Sequence, residues 1–493
     1  MTKKKTLALA LCLCMLASVG FGACENNVAS TGDDPVSASD SETPVSSSSG
    51  AAASDSASAS TKPEEPERIL QDEFLLGSWV AYYNPLEGGL SMRQQTEQLA
   101  DAGINFIMYG SWINDAGESV ERDLQSVDWW KYVDDVMVEN GMKYMFSASG
   151  GGANNPENVK GALDNLSAEA VASAQNIVPN LQNCIGYMVK DEPVASELRS
   201  IANISKQYAT IKNGAYPMVN MNPSTVGEVY GWSVLGGSYE SYFDMWVNYV
   251  GAENIEYISH DHYAFGKTKT DMTIFNDMEI MRKVGLKYDL KTHGFPQACG
   301  WGGQRMPNAD EIRWNVYAYL AYGFKAISYF NYVMWGSEGC YAGLIDLEGN
   351  IKDQQLYDDV AKMNWEIRAT SDIIMHLDCI HAYHNLDNTG EKVELLPYNA
   401  LANPPANADV IVSYMTARDG SEPYLMIFNK SFENEIVDMP FELGKGKGIT
   451  GLEAFDPSTG EYQTLAIENE TFKLSLKKGE GKFIRLSGDV KIS

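Results

Sequence analysis

The chain is short of positive charge: 37 Lys+Arg stand against 66 Asp+Glu over 493 residues, a net charge of −29 at pH 7. A nucleic acid or an anionic lipid surface needs a basic footprint, so those partners are excluded and a neutral one is expected. Cysteine is also scarce. Of seven in all, Cys12, Cys14 and Cys24 sit near the start, and Cys184, Cys299, Cys340 and Cys379 are spaced too widely for a zinc pattern. The latter four read as buried free thiols. After the first 24 residues no apolar run is long enough to span a membrane. The content that does exist, 44% hydrophobic with 11% aromatic, is that of a folded protein with sizeable cores.

The start carries an address. Lys3, Lys4 and Lys5 precede an apolar stretch from Thr6 to Val19, the layout of an export signal. The segment closes on Phe21-Gly22-Ala23-Cys24, which resembles a bacterial lipobox with Phe where Leu is usual. That resemblance implies cleavage before Cys24, lipidation of Cys24 and a place on the outer side of the bacterial cell membrane. An ordinary signal peptide with an incidental Cys24 is the alternative. Residues 25–68 are rich in Ser, Ala, Asp, Pro and Glu and almost free of large apolar side chains. Such a stretch cannot bury enough surface to offset its chain entropy, so it reads as a disordered linker.

From residue 69 to 385 short β-rich runs alternate with amphipathic stretches. Eight strand-then-helix units are legible, from Leu75–Tyr83 to Ala326–Tyr332 with a last helix over 354–375. Gly103, Gly141, Gly285 and Gly323 stand where four of the helices should stop. Eight such units predict a (β/α)8 barrel. The open doubly wound alternative lacks its signature, because Gly77-Ser78-Trp79 is not GxGxxG. Residues 386–493 read differently, as short strands between Gly-rich turns, and predict a small antiparallel β-sandwich.

In a barrel the chemistry belongs at the C-terminal ends of the strands. The fourth strand ends on Lys190-Asp191-Glu192-Pro193, two adjacent carboxylates after a buried run. Capping of the next helix would explain them blandly, but Ser196 is better placed to cap. Other strand ends supply Tyr82, Trp112, Asn220, Asn222, His262 and Tyr263, with Asp261 between the two histidines. The last two strands add His293, Gln297, Trp301, Tyr329, Asn331 and Trp335. Aromatic faces and amides of this kind stack on sugar rings and bond their hydroxyls, so a carbohydrate partner is expected. His260, His262 and His293 could in principle share a metal, but sugar contacts explain them equally well. No metal and no cofactor are expected.

A resemblance then becomes visible. Tyr187-Met188-Val189-Lys190-Asp191-Glu192-Pro193 resembles the fourth strand of clan A glycoside hydrolases, and Gly343–Asn350 resembles the loop after the eighth strand in family 42 β-galactosidases. The stretch Glu311–Ile327 and the terminal β-domain are similar to theirs as well. The resemblance implies that Glu192 is the general acid. One departure is plain: the seventh-strand region Lys291–Gln297 holds no carboxylate, where those enzymes place a nucleophilic glutamate. Three options follow. Asp261 could be the second carboxylate; a separation of about 5 Å would suit a nucleophile and about 6.5–9.5 Å a base. Alternatively Asp191 and Glu192 act as a pair, as in the similar family 20 and family 123 N-acetylhexosaminidases, where the substrate's acetamido oxygen attacks. The third option is a barrel that binds sugar without cutting it. The oligomeric state has no signature in the sequence.

Overall fold

Eight parallel strands close into a barrel in chain order. The structure is a computed structural model and describes residues 68–81, 90–110, 123–148, 165–226, 237–334, 340–346, 349–389 and 393–492. The barrel strands are β1 (Leu75–Ala81), β2 (Phe106–Gly110), β3 (Lys143–Phe146), β4 (Cys184–Asp191), β5 (Tyr216–Met221), β6 (Tyr257–His260), β7 (Lys291–Gly294) and β8 (Ala326–Tyr329). β8 pairs with β1 and closes the ring. Each strand is followed by a helix: α1 (Met92–Asp101), α2 (Val127–Glu139), α3 (Ala168–Ile177), α4 (Leu198–Ala209), α5 (Tyr239–Val250), α6 (Ile274–Tyr288), α7 (Ala309–Ala321) and α8 (Gln354–Ala369).

The local sequence explains where these helices begin and end. α1, α2, α3, α5, α7 and α8 open on Ser, Asn or Asp caps whose side-chain oxygens accept an N–H of the first turn. α4 differs. Ser196 lies within a 3-10 turn, Ala195–Glu197, and Glu197, the residue before α4, takes the Val194 N–H at 2.9 Å, so no side chain caps α4 and the expected serine cap is not made. Gly103, Gly141 and Gly323 follow helix ends with positive φ, as expected. Gly285 does not. α6 runs through it to Tyr288 and stops at Asp289, which takes the left-handed conformation itself at φ +54°.

Two apolar cores result. The interior of the barrel is filled by Leu75, Phe106, Met145, Met188, Met218, Tyr257 and their neighbours. The outer core lies between strands and helices, where four tryptophans, Trp129, Trp130, Trp246 and Trp314, are fully buried. Cys184, Cys299 and Cys379 are buried thiols, as the sequence indicates.

The terminal β-region begins with β9 (Leu377–His384), directly after the short helix α9 (Ser371–His376). β10 (Val410–Ala417), β11 (Pro423–Asn429), β13 (Ile449–Asp456), β14 (Glu461–Thr464) and β16 (Gly481–Gly488) join β9 in one sheet. β12 (Ile436–Leu443) and β15 (Thr471–Leu476) lie in a second, smaller sheet. A separate core that includes Val412, Ile427, Phe441, Leu452 and Phe472 fills the space between the two sheets. This is a barrel followed by a β-sandwich. No helix among the described residues is long and apolar enough to cross a membrane.

Candidate active site

At the end of β4 the ladder is irregular. Simple alternation would place Met188, Lys190 and Glu192 on one face. A bulge between Met188 and Lys190 instead aligns Met188 with Met218 and Asp191 with Asn220, so Asp191 joins the inward register. Glu192 then leaves the strand with φ +45°, although its N–H still donates to the Asn220 carbonyl at 2.8 Å. A left-handed glutamate costs roughly 1–3 kcal/mol, and such strain collects at functional sites. The next carbonyl, that of Pro193, accepts from the Asn222 amide at 3.0 Å and from the Tyr242 hydroxyl. Those bonds hold the turn in place.

Asp261 continues the inward register of Tyr257 and Ser259 just beyond β6. Its side chain is hydrogen-bonded to Glu192 and to Tyr263. Asp191 accepts from the Asn220 amide at 3.0 Å. Three carboxyls therefore meet at the mouth of the barrel. Among the described residues no Lys or Arg forms an ion pair with any of them.

Their protonation follows from that crowding. Asp261 is 5% exposed; burial first, then the charges of Glu192 and Asp191, push it well above the usual carboxylate range. Burial also raises Glu192, while the hydrogen bond from Asp261 holds it back. Asp191 is exposed at the strand end; desolvation by the neighbouring protein and the Glu192 charge raise it, and the Asn220 amide opposes them. Three like groups so close cannot all ionise at neutral pH. Glu192 and Asp261 titrate as a coupled pair, which holds a proton to higher pH than an ordinary carboxyl would.

Beside the carboxyls stands an aromatic wall. Tyr263 meets Trp301 edge-on with centroids 4.8 Å apart, and Phe330 lies 4.9 Å from Tyr263 and 5.0 Å from Trp301. All three are partly exposed. Trp301 is carried by a two-stranded ribbon, Gly300–Trp301 against Cys340–Ala342. The floor inside is also aromatic, with Trp79 5.2 Å from Phe295. A flat, partly wet apolar wall beside proton donors and acceptors suits the face of a pyranose ring.

Of the residues singled out from sequence, Asp191, Glu192, Asp261, Asn220, Tyr263 and Trp301 come together here. Others do not reach the mouth. Gln297 is fully buried: its amide accepts from Phe265 N–H at 3.0 Å and donates to the carbonyls of Cys299 and Arg305, so it ties loops together. His262 is 3% exposed and paired with Asp277 at 2.8 Å, behind the sheet. His293 is inside the barrel beneath the carboxyls, with both ring nitrogens in hydrogen bonds to Ser259 and Ser328. Tyr329 points outward and donates to Asn364 at 2.6 Å. Asn222 holds Pro193, and buried Asn331 accepts from Ser78 at 3.2 Å. Tyr82, Trp112, Trp335 and Cys24 lie outside the described residues.

The three histidines considered for a metal face different ways. His260 contacts Tyr239, His262 faces Asp277 and Asp271, and His293 faces the barrel interior. Among the described residues no group of three His, Cys, Asp or Glu is arranged to hold an ion. Phe330 escaped the sequence reading, although the inward register Ala326, Ser328, Phe330 was there to be counted.

No family model matches the chain, and no curated protein matches it. Solved structures to which it is similar include glycoside hydrolases. An α-amylase from Anoxybacillus aligns at 13% identity over 86% of this chain and 100% of its own, with a TM-score of 0.47. A β-galactosidase from Bacillus circulans sp. alkalophilus aligns at 10% identity over 83% and 99%, also at 0.47. A GH30 endoxylanase from Clostridium papyrosolvens C71 aligns at 12% identity over 85% and 98%, at 0.43.

Proposed function

We propose that the barrel is a glycoside hydrolase that cleaves O-glycosidic bonds with Glu192 as general acid. One observation carries the reading: three mutually close carboxyls at the barrel mouth, beside the partly exposed wall of Tyr263, Trp301 and Phe330. A carboxyl raised by burial keeps its proton toward neutral pH and can give it to a leaving oxygen. The contact between the Glu192 and Asp261 carboxyls supports reading Asp261 as the group that tunes Glu192.

Asp191 supports a substrate-assisted course. The 2-acetamido oxygen of the sugar attacks the anomeric carbon, the glycosidic C–O bond breaks, and the leaving oxygen takes the Glu192 proton. Asp191 faces the positive charge that develops on the acetamido group. Water then opens the cyclic intermediate and returns a proton to Glu192. That scheme needs no carboxylate on β7, where the inward residue at the mouth is Phe295. The same absence favours the second reading, a barrel that binds glycan without cutting it.

Turnover on aryl glycosides and glycans separates these readings, comparing the wild type with Glu192→Gln. Hydrolysis with a preference for 2-acetamido sugars, reduced about 10²–10⁴-fold in the variant, is expected. Glycan binding with no turnover on any substrate would overturn the enzyme in favour of the binding protein. We further propose that the chain is exported and lipid-anchored at Cys24, with residues 25–68 as tether, on the strength of Lys3–Lys5, the apolar stretch and Gly22-Ala23-Cys24. Radiolabelled fatty acid should enter the wild type and not Cys24→Ser.

A further inference from the structure

Beneath the carboxyls a line of hydrogen bonds crosses four adjacent strands, β5 to β8 and the end of β4. Ser328 lies 3.0 Å from His293 Nε2, and His293 Nδ1 lies 3.3 Å from Ser259 Oγ. Ser259 donates to Asn220 Oδ1 at 3.0 Å, and Asn220 Nδ2 donates to Asp191 Oδ1 at 3.0 Å. Ser259, His293 and Ser328 are fully buried and Asn220 is 2% exposed. All four belong to the inward register, so this is a layer of the barrel interior that is polar instead of apolar.

The donor count fixes the sense of the line. The single Ser259 hydroxyl proton goes to Asn220, so Ser259 can only accept from His293, which must carry its proton on Nδ1. His293 Nε2 is then an acceptor, and Ser328 donates to it. Each link donates toward Asp191. Burial holds the imidazole neutral, with its pKa pushed down to about 3, which is what a one-donor, one-acceptor link requires. Even the far end is built for it: a Cβ on Gly77 would stand 2.6 Å from Ser328 Oγ and 2.7 Å from the Phe106 ring.

We propose that His293 is a positioning residue that, through Ser259 and Asn220, keeps the donor end of the Asn220 amide on Asp191 and so maintains Asp191 as the carboxylate of the cluster. An amide has one donor end and one acceptor end; an ionised Asp191 can only accept, and the line holds the amide to that same end. When Asp191 takes its proton on Oδ1, the oxygen that Asn220 meets, it becomes the donor there, and every link reverses: Asn220 turns its amide, Ser259 donates to His293 Nδ1, and the imidazole proton moves to Nε2 to face Ser328. The tautomer of His293 is thereby tied to a proton three links away. The groups that face Asp191 are Lys190, Glu192, Asp261, Asn220 and Tyr263; those that face His293 are His260, Tyr257, Ser259 and Ser328.

The inference takes the carboxyl cluster as the site, but its test reads the imidazole and not turnover. The full chain, labelled with ¹⁵N-histidine, is titrated between about pH 5 and 8, with the His293 signals assigned by their loss in His293→Asn. At the upper end Nδ1 should be of the protonated type and Nε2 of the bare type. On acidification the two should exchange character with the midpoint of Asp191, without an imidazolium signal. Asp191→Asn, a change at a solvent-reached position, should abolish the exchange. Ser259→Ala should raise the Asp191 midpoint by about one pH unit, a tenfold change in proton affinity. A His293 that holds the Nε2–H tautomer at high pH, or that exchanges tautomers equally in Asp191→Asn, would overturn the proposal whether or not the protein hydrolyses a sugar.

Discussion

The hydrogen bond from Asp261 makes Glu192 a weaker holder of its proton than burial alone would. A general acid must be protonated, so activity should fall as pH rises through the Glu192 pKa, which burial places above the ordinary glutamate value. Asp261→Ala removes the donor to ionised Glu192, so the Glu192 proton is bound more tightly. The basic limb of the kcat/KM profile should move up by about one pH unit, with a lower plateau. A limb that moves down would mean that Asp261 acts on Glu192 as a charge and not as a donor. Residues of this kind were legible in the sequence as types at strand ends, since Asp191, Glu192 and Asp261 are all there. Their faces were not. The β4 bulge turns Asp191 inward against the alternation rule, and the parity of β8 selects Phe330 over Tyr329.

Among the elements, the segment after β6 is pinned by a buried charge cluster. His262 meets Asp277 of α6 at 2.8 Å and Asp271 at 3.6 Å, and Asp277 also accepts from the Ser224 N–H at 3.0 Å. Burial alone would lower the His262 pKa, but the hydrogen bonds and charges of the two aspartates raise it to about 9. A raised folded pKa means stability that is complete below the unfolded value of about 6.5 and is lost as pH climbs through about 9. Asp271 and Asp277 are depressed, so their contribution fades only in acid. Thermal melts should therefore show the wild type losing stability between about pH 6.5 and 9, and His262→Gln should flatten that loss while lowering stability below it. A parallel decline in both would remove His262 as the cause. The same cluster shows why His262 was misplaced from sequence. A histidine at a strand end is compatible with a ligand site or an ion pair, and its partners lie 9 and 15 residues on, in a loop and a helix (Asp271, Asp277). Strand and helix order was far easier to read, because caps and periodicity are local. Gly285 misled for the same reason that the other glycines helped: a glycine permits a helix stop, and the chain used Asp289 instead.

At the scale of the whole molecule the outer core of the barrel continues onto one face of the large sheet, while the sandwich keeps a core of its own between its sheets. Ile411, Met415, Tyr424, Met426 and Phe428 of the large sheet pack into the same apolar cluster as the barrel helices. α7 forms the seam: Trp314 donates to the Lys430 carbonyl at 2.7 Å, Ser413 donates to the Ala321 carbonyl at 2.6 Å, and Arg313 donates to Lys478 at 3.1 Å. Gly479 sits so close that a Cβ would stand 2.6 Å from the Trp314 backbone. The centre of the seam is polar. The Lys430 side chain is fully buried, with its ammonium 3.0 Å from Asp409 and 3.1 Å from His384, and His384 meets the Tyr322 hydroxyl at 2.7 Å. Burial lowers the Lys430 pKa and Asp409 opposes this, so the charge survives only because its partner is there. Lys430→Ala leaves buried His384 without its ammonium partner while Asp409 keeps contact with water and Asn388, and should cost about 1–3 kcal/mol. Because the core is continuous, that loss should not free one half from the other. Calorimetry should show a single endotherm for wild type and variant alike, shifted to lower temperature in the variant. Two resolved endotherms in either protein would mean that the barrel and the sandwich fold separately, and that the mouth of the barrel owes nothing to the sheet behind it.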